Sequence, residues 1–227
     1  MKTGDYSQLK YLCIAEVAVP DETISETAKT LLIEIYLANK YGRWYDISSK
    51  YLEKGTRVEE DSFDLFALHT KKMYEKNETN LSNDWITGTP DIIKDDTVID
   101  IKSSWDLRTF WNAKMSDLDK GYDWQLQGYM WLTGAQRAQL VYVCVDTPND
   151  LIEREKRNLA YKMGITPDSY NQETEDKLKE IERLYRFDDI PVAERVHIID
   201  VPRDEKKIAE IAPRVEAARI WMNENLK

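Results

Sequence analysis

The sequence predicts an α/β fold in which helices flank a mixed β-sheet. A hairpin signal lies at 91–102, where the apolar runs Asp91-Ile-Ile-Lys94 and Thr97-Val-Ile-Asp-Ile-Lys102 flank Asp95-Asp96. Two β-branched runs, Ala138 to Val145 and Val196 to Val201, suit further strands, the first buried at the centre of a sheet. Helical periodicities separate these runs, giving the order helices, hairpin, helix, strand, insertion, strand, helix.

Each element has its own local reason. Ile24, Ala28, Leu31, Leu32 and Ile35 recur at helical spacing over 21–40, with Asp21 placed to cap the start. Ser48 or Ser49 can cap a second helix running to about Met73, interrupted early by Gly55. Residues 121–133 form a third helical pattern. From 148 to 190 charges alternate in sign, apolar residues are sparse, and Gly164, Pro167 and Asn171 mark a break. That segment reads as a helical hairpin inserted outside the core of a single domain spanning 1–227. An amphipathic helix over 204–225, with Pro213 inside it, closes the chain.

Composition narrows the function classes. The chain has 227 residues, 42% of them hydrophobic and 33% charged, which is globular usage. No apolar run approaches the ~20 residues of a membrane span, and no signal-peptide core follows the N-terminus. A cytoplasmic protein without membrane attachment is expected. Cys13 and Cys144 sit in separate apolar stretches and read as buried thiols, so a cysteine-ligated zinc or iron–sulfur site is excluded. The net charge of −10 argues against binding nucleic acid through a broad basic surface. Residues 51–150 hold 18 acidic against 11 basic side chains, which concentrates carboxylates mid-chain. Most of these are expected to be solvated; a few have the spacing of a hard-cation site.

That spacing lies in the hairpin. Asp100 and Lys102 are two apart on a strand and share a face, while Ile99 and Ile101 take the other. Asp91 follows Pro90, which favours an extended chain at its entry, and a tight turn brings it opposite Asp100. Two carboxylates and an ammonium then meet beside apolar strands, a costly cluster unless something compensates it. A divalent cation held by Asp91, Asp100 and the Ile101 carbonyl would do so, with Lys102 beside the reacting phosphate. Asp-x-Lys alone is common by chance; Pro-Asp ahead of it within one hairpin is less so.

Four segments resemble the PD-(D/E)xK nuclease superfamily, and within it the phage λ-type exonucleases and YqaJ-like viral recombination nucleases. They are Gly55-Thr-Arg-Val-Glu59, Thr89-Pro90-Asp91, Asp100-Ile101-Lys102, and the run from Tyr122 through Gln125, Gln127, Tyr129 and Trp131 to Thr133. Position 100 is Asp where λ-type enzymes carry Glu, Tyr129 follows the Gln-x-x-x-Tyr spacing of RecB-like nucleases, and the 148–190 insertion lies outside the λ-type pattern.

The resemblance implies a restriction-endonuclease-like core and a Mg²⁺-dependent DNA exonuclease, with Mn²⁺ able to substitute. It assigns Asp91, Asp100, Ile101 and Glu59 to the metal, Lys102 to the water and phosphate, and Gln125 to the scissile phosphate. From the local residues, Arg43, Lys54, Arg57, Ser103 and Tyr129 are the expected DNA contacts, with Lys40, Lys50, Arg108, Lys114 and Lys120 as further cations; Trp44 and Tyr45 either stack on DNA or pack in the core. Implied partners are double-stranded DNA ends, a single-strand annealing protein, and other copies of the chain in a trimeric ring. Digestion would run 5′-to-3′ and leave 3′ single strands for recombination. Two alternatives stay open: a RecB-like end-processing or structure-specific endonuclease without an iron–sulfur cluster, and an inactive binding module on the same fold.

Overall fold

The computed structural model describes residues 24–43, 49–165 and 171–226. The chain opens with α1 (Glu26–Tyr41), α2 (Lys50–Arg57) and α3 (Glu59–Thr70), followed by a short hairpin of β1 (Leu81–Ser82) and β2 (Thr87–Gly88). The main sheet begins with β3 (Ile92–Lys94) and β4 (Thr97–Ser103). Helices α4 (Leu107–Met115) and α5 (Lys120–Thr133) lead to β5 (Arg137–Val143). The helical pair α6 (Asn149–Lys162) and α7 (Gln172–Arg183) precedes β6 (Val196–Pro202), and α8 (Glu205–Asn225) ends the chain.

The sheet order is β3-β4-β5-β6. The hairpin pair β3–β4 is antiparallel, β4–β5 is parallel, and β5–β6 is antiparallel. The parallel pair requires a long crossover, which α4 and α5 provide. Alternation along β4 divides the core. Ile99 and Ile101 pack with Val141, Val143, Phe66 and Val58 on the α3 side. Val98 packs with Ala138, Leu140, Leu126 and Met130 on the α5 side. Asp100 lies on that same α5 face and is 2% exposed, so both faces of the sheet are covered.

Helix ends follow local chemistry with two changes from expectation. Ser25 caps α1 by accepting from the Ala28 N–H at 3.1 Å; Asp21 lies outside the described residues. Ser49 caps α2 by accepting from Leu52 N–H, and Ser48 is likewise outside them. The single helix expected from there to Met73 is two helices. The break falls at Val58, with φ −110° and ψ 19°, and not at Gly55. Val58 is buried in the core between α3 and the sheet, so tertiary packing, and not backbone propensity, sets the corner.

The helical segment after β5 is surface-facing along most of its length but rooted in the core. Leu151, Ile152 and Tyr185 pack on Trp105, and Phe187 packs on Phe110 and Cys144. Ion pairs Lys50–Glu155 (3.0 Å), Glu53–Arg154 (2.8 Å) and Arg57–Asp150 (2.6 Å) lay α6 along α2. Among the described residues no helix is long and apolar enough to cross a membrane.

The buried roots set a testable limit on deletion. Replacing 157–179 with a short Gly/Ser linker is expected to leave a cooperatively folding protein. Extending the deletion to Ile152 and Phe187 should lower the unfolding free energy by several kcal/mol, since each large core side chain removed costs about 2–5 kcal/mol. Equal denaturation midpoints for the two deletions would refute the rooting.

Candidate active site

The hairpin register builds the site. Ile92 pairs with Ile99, so the next position outward sets Asp91 against Asp100. The Asp91 Oδ2 accepts from the Ile101 N–H at 2.6 Å. The loop before it is pinned by Asn77, whose backbone N–H donates to the Asp91 carbonyl and whose side chain donates to the Pro90 carbonyl, both at 2.8 Å. Asp95, in the left-handed region with φ 47°, allows the tight turn between β3 and β4.

The electrostatics are those of a crowded buried cluster. Burial, then the neighbouring Asp100, pushes Asp91 up to about 6. Burial also raises Asp100. Lys102 Nζ lies 2.6 Å from Asp100 Oδ2 and is its ionic partner. Burial alone would lower the Lys102 ammonium, but Asp100 overrides it and the net shift is upward. Lys102 is therefore a fixed cation at neutral pH and a poor proton acceptor.

Helix α5 supplies the wall facing this cluster. Its residues 122, 125 and 129 share one face. The Tyr122 ring lies under Lys102, 5.0 Å from Nζ to centroid, and Gln125 Nε2 donates to the Tyr129 hydroxyl at 2.8 Å. Burial pushes Tyr129 up to about 12, so it stays a neutral phenol. Gly88 is required behind it: a Cβ there would stand 2.5 Å from the Tyr129 ring. The roles of Tyr122 and Gly88 were missed in the sequence, although Tyr122 was findable by its helical spacing from Gln125.

Other expected residues lie elsewhere. Glu59, at the start of α3, pairs with Lys76 at 3.1 Å instead of joining the two aspartates. Among the described residues, no three His, Cys, Asp or Glu side chains stand close enough to share a metal. The Glu59–Lys76 pair is solvent-exposed and worth about 0–1 kcal/mol, so releasing Glu59 is cheap. Ser103 shares a 2.6 Å hydrogen bond with Ser62. Arg57 makes a bidentate pair with Asp150. Arg43 is exposed beyond α1, and Trp44 and Tyr45 lie outside the described residues.

Lys54 contradicts its expected role as a DNA contact. It is 0% exposed. Its Nζ donates to the carbonyls of Ser104 (2.8 Å), Trp105 (3.1 Å) and Val145 (2.7 Å). Burial lowers this ammonium to about 8, while three carbonyl partners occupy all three of its donors, a set the neutral amine could not satisfy. The physical reason is position: Lys54 faces the chain exits from β4 and β5, where backbone carbonyls lack strand partners.

A divalent cation fits the aspartate pair on the structure's own terms. Two buried carboxylates, both raised by burial, face one ammonium, Lys102, so a further cation beside them would relieve a cost already present.

No protein-family model and no curated protein sequence matches the chain. Solved structures do. A phage-related exonuclease from Haemophilus somnus 129PT superposes with a TM-score of 0.72 at 26% identity, over 95% of this chain and 94% of that one. The alkaline exonuclease LHK-Exo from Laribacter hongkongensis gives 0.62 at 16% identity, over 98% and 93%. Its complex with dAMP gives 0.60 at 17%, over 93% and 86%. The resemblance read from the sequence holds at the level of fold: the chain shares its fold with exonucleases.

Two outcomes test the site. Asp91 has a raised pKa in the folded state, near 6 against an ordinary 3.8. The folded protein then binds protons that the unfolded chain releases, and cation-free stability falls as pH rises through about 4 to 6. Melting without divalent ions should therefore show a higher midpoint just above the window's lower edge than at neutral pH, and Asp91→Asn should reduce that difference; an unchanged difference refutes the buried pair. Lys54→Met should lower the unfolding free energy in urea by ~3 kcal/mol, because three buried carbonyls lose their donor; a loss within about 0.5 kcal/mol would refute the anchoring role.

Proposed function

We infer that this chain is a DNA exonuclease of the λ-type group. The observation that carries the reading is the buried Asp91–Asp100–Lys102 cluster, set on the fold shared with the exonucleases above. An intact cluster of this cost is not what a decayed binding module would keep.

Asp91, Asp100 and the Ile101 carbonyl would hold Mg²⁺ or Mn²⁺, with Glu59 completing the set after leaving Lys76. The chemistry such an ion supplies is Lewis-acid polarisation of the phosphate and a lowered pKa for a bound water. The chain's own groups do the rest. Lys102, fixed as a cation by Asp100, offsets charge that builds on the phosphoryl oxygens. Gln125 donates to the Tyr129 oxygen, which leaves the phenolic proton free to donate to a phosphate oxygen. The phenol keeps that proton because its pKa is pushed up to about 12.

On the same reading the substrate is duplex DNA with an end, digested 5′-to-3′. The 3′ strand left behind would pass to a single-strand annealing protein. The active form would be a cyclic homo-oligomer, a trimer by family resemblance. The charge balance supports a ring: a chain of net charge −10, with Lys54 buried and Arg57 paired, offers few cations per copy, and symmetry multiplies them around one channel.

The test uses end-labelled linear duplex alongside closed circular DNA. Linear DNA should be digested with Mg²⁺ or Mn²⁺, with label released first from the 5′ end, while circles persist and Ca²⁺ fails to support the reaction. Asp100→Ala and Lys102→Ala should each abolish cleavage without loss of fold by circular dichroism. Normal turnover by Asp100→Ala in Mg²⁺ would end the assignment; cutting of circles would favour the endonuclease alternative.

A further inference from the structure

Two of the cations expected to grip DNA are committed elsewhere, Lys54 to backbone carbonyls and Arg57 to Asp150. A different surface has the required chemistry. Helix α4 begins four residues after the strand that carries Asp100 and Lys102. Its inner side is anchored by Phe110, fully buried against Cys144 and Phe187, and by the capping box between Asp106 and Thr109. Its outer side presents Trp111, 47% exposed, and Met115, 76% exposed, one turn apart. Lys114 Nζ lies 4.6 Å from the Trp111 ring centroid, and among the described residues it meets no carboxylate at ion-pair distance. The helix itself contains no acidic residue in a chain of net charge −10.

We propose that the outer face of α4, Trp111 with Lys114 and Met115, is a stacking platform for single-stranded DNA. The proposal rests on the nuclease reading and extends it to the handling of the unpaired strand. The chemistry selects this occupant. A solvent-facing indole is a large apolar surface that water leaves unsatisfied, and every base has a π-face that can cover it. Bases inside a duplex have both faces covered by neighbours, so an indole can stack only on an unpaired base or a frayed end. The ammonium above the ring serves the next phosphate once a base takes its place. Interfaces between protein copies deplete lysine at their centre, whereas a backbone-tracking surface requires it. Met115 extends the apolar platform with an adaptable side chain.

The experiment measures binding apart from cleavage. The full-length protein is titrated into a short fluorescein-labelled oligothymidylate in Ca²⁺, and anisotropy gives Kd. Trp111→Ala should weaken binding by about 5- to 150-fold, the range of one lost stacking contact, and Trp111→Phe should restore most of it. Lys114→Ala should reduce the slope of log Kd against log salt by about 0.7, one phosphate contact on a single strand. Both positions are exposed, so the variants should melt with the wild type. Equal affinity of Trp111→Ala and wild type would overturn the proposal. So would a change of mass in light scattering on Trp111→Ala, which would assign the face to contact between copies. The two readings fail separately: a wild type that loses oligothymidylate binding on Trp111→Ala but digests no duplex defeats the nuclease assignment and keeps the platform. Digestion with unchanged binding does the reverse.

Discussion

Lys54 Nζ sits at the junction of three parts of the chain that are remote in sequence. It reaches from α2 to the carbonyls that follow β4, at Ser104 and Trp105, and to the carbonyl of Val145 that follows β5. Parallel strands have no hairpin to join them, so their ends must be held by something else. Here an ammonium does this, together with the Ser104 N–H donating to the Val143 carbonyl. Helix α3, which brings Glu59, starts five residues after Lys54; β4, which brings Asp100 and Lys102, ends just before Ser104. One buried cation therefore fixes how far the start of α3 stands from the end of β4. The aromatic rings of Trp105 and Phe187 enclose it, and they connect it in turn to the roots of the α6–α7 segment.

The Asp91–Asp100–Lys102 cluster is the opposite kind of buried charge. Lys54 has a partner for every donor, whereas the buried carboxylates of Asp91 and Asp100 face one ammonium, Lys102. A satisfied polar group adds a modest net stability, and an under-compensated buried charge costs more than that. The surrounding core tolerates that cost because Ile99, Ile101, Val141 and Val143 hold the strands rigidly from the other face. Electrostatic cost concentrated at one point of an otherwise satisfied core is a feature that ligand-binding sites share.

Charge elsewhere is arranged in exposed pairs. Lys50, Glu53 and Arg57 on α2 meet Glu155, Arg154 and Asp150 on α6. Such pairs add little stability singly, but they fix the direction of α6 and remove cations from the surface available to DNA. What remains near the site is limited, which is why a basic surface cannot be read from net charge and why α4, free of acidic residues, stands out.

The sequence by itself determined the hairpin, its register and the sharing of one face by Asp100 and Lys102. Alternation with a period of two and a tight turn are local properties that a side-chain string carries openly. It also determined that residues 125 and 129 share a helix face. The tertiary structure alone decided the corner at Val58, the burial of Lys54 and the pairing of Glu59 with Lys76. Lys54 read as a surface cation because lysine is rarely buried. Its partners are backbone carbonyls, which every residue possesses and no sequence distinguishes. Only the packing of β4 beside β5 brings those oxygens together at one point, and the energy that draws an ammonium to them does not exist until the strands are paired.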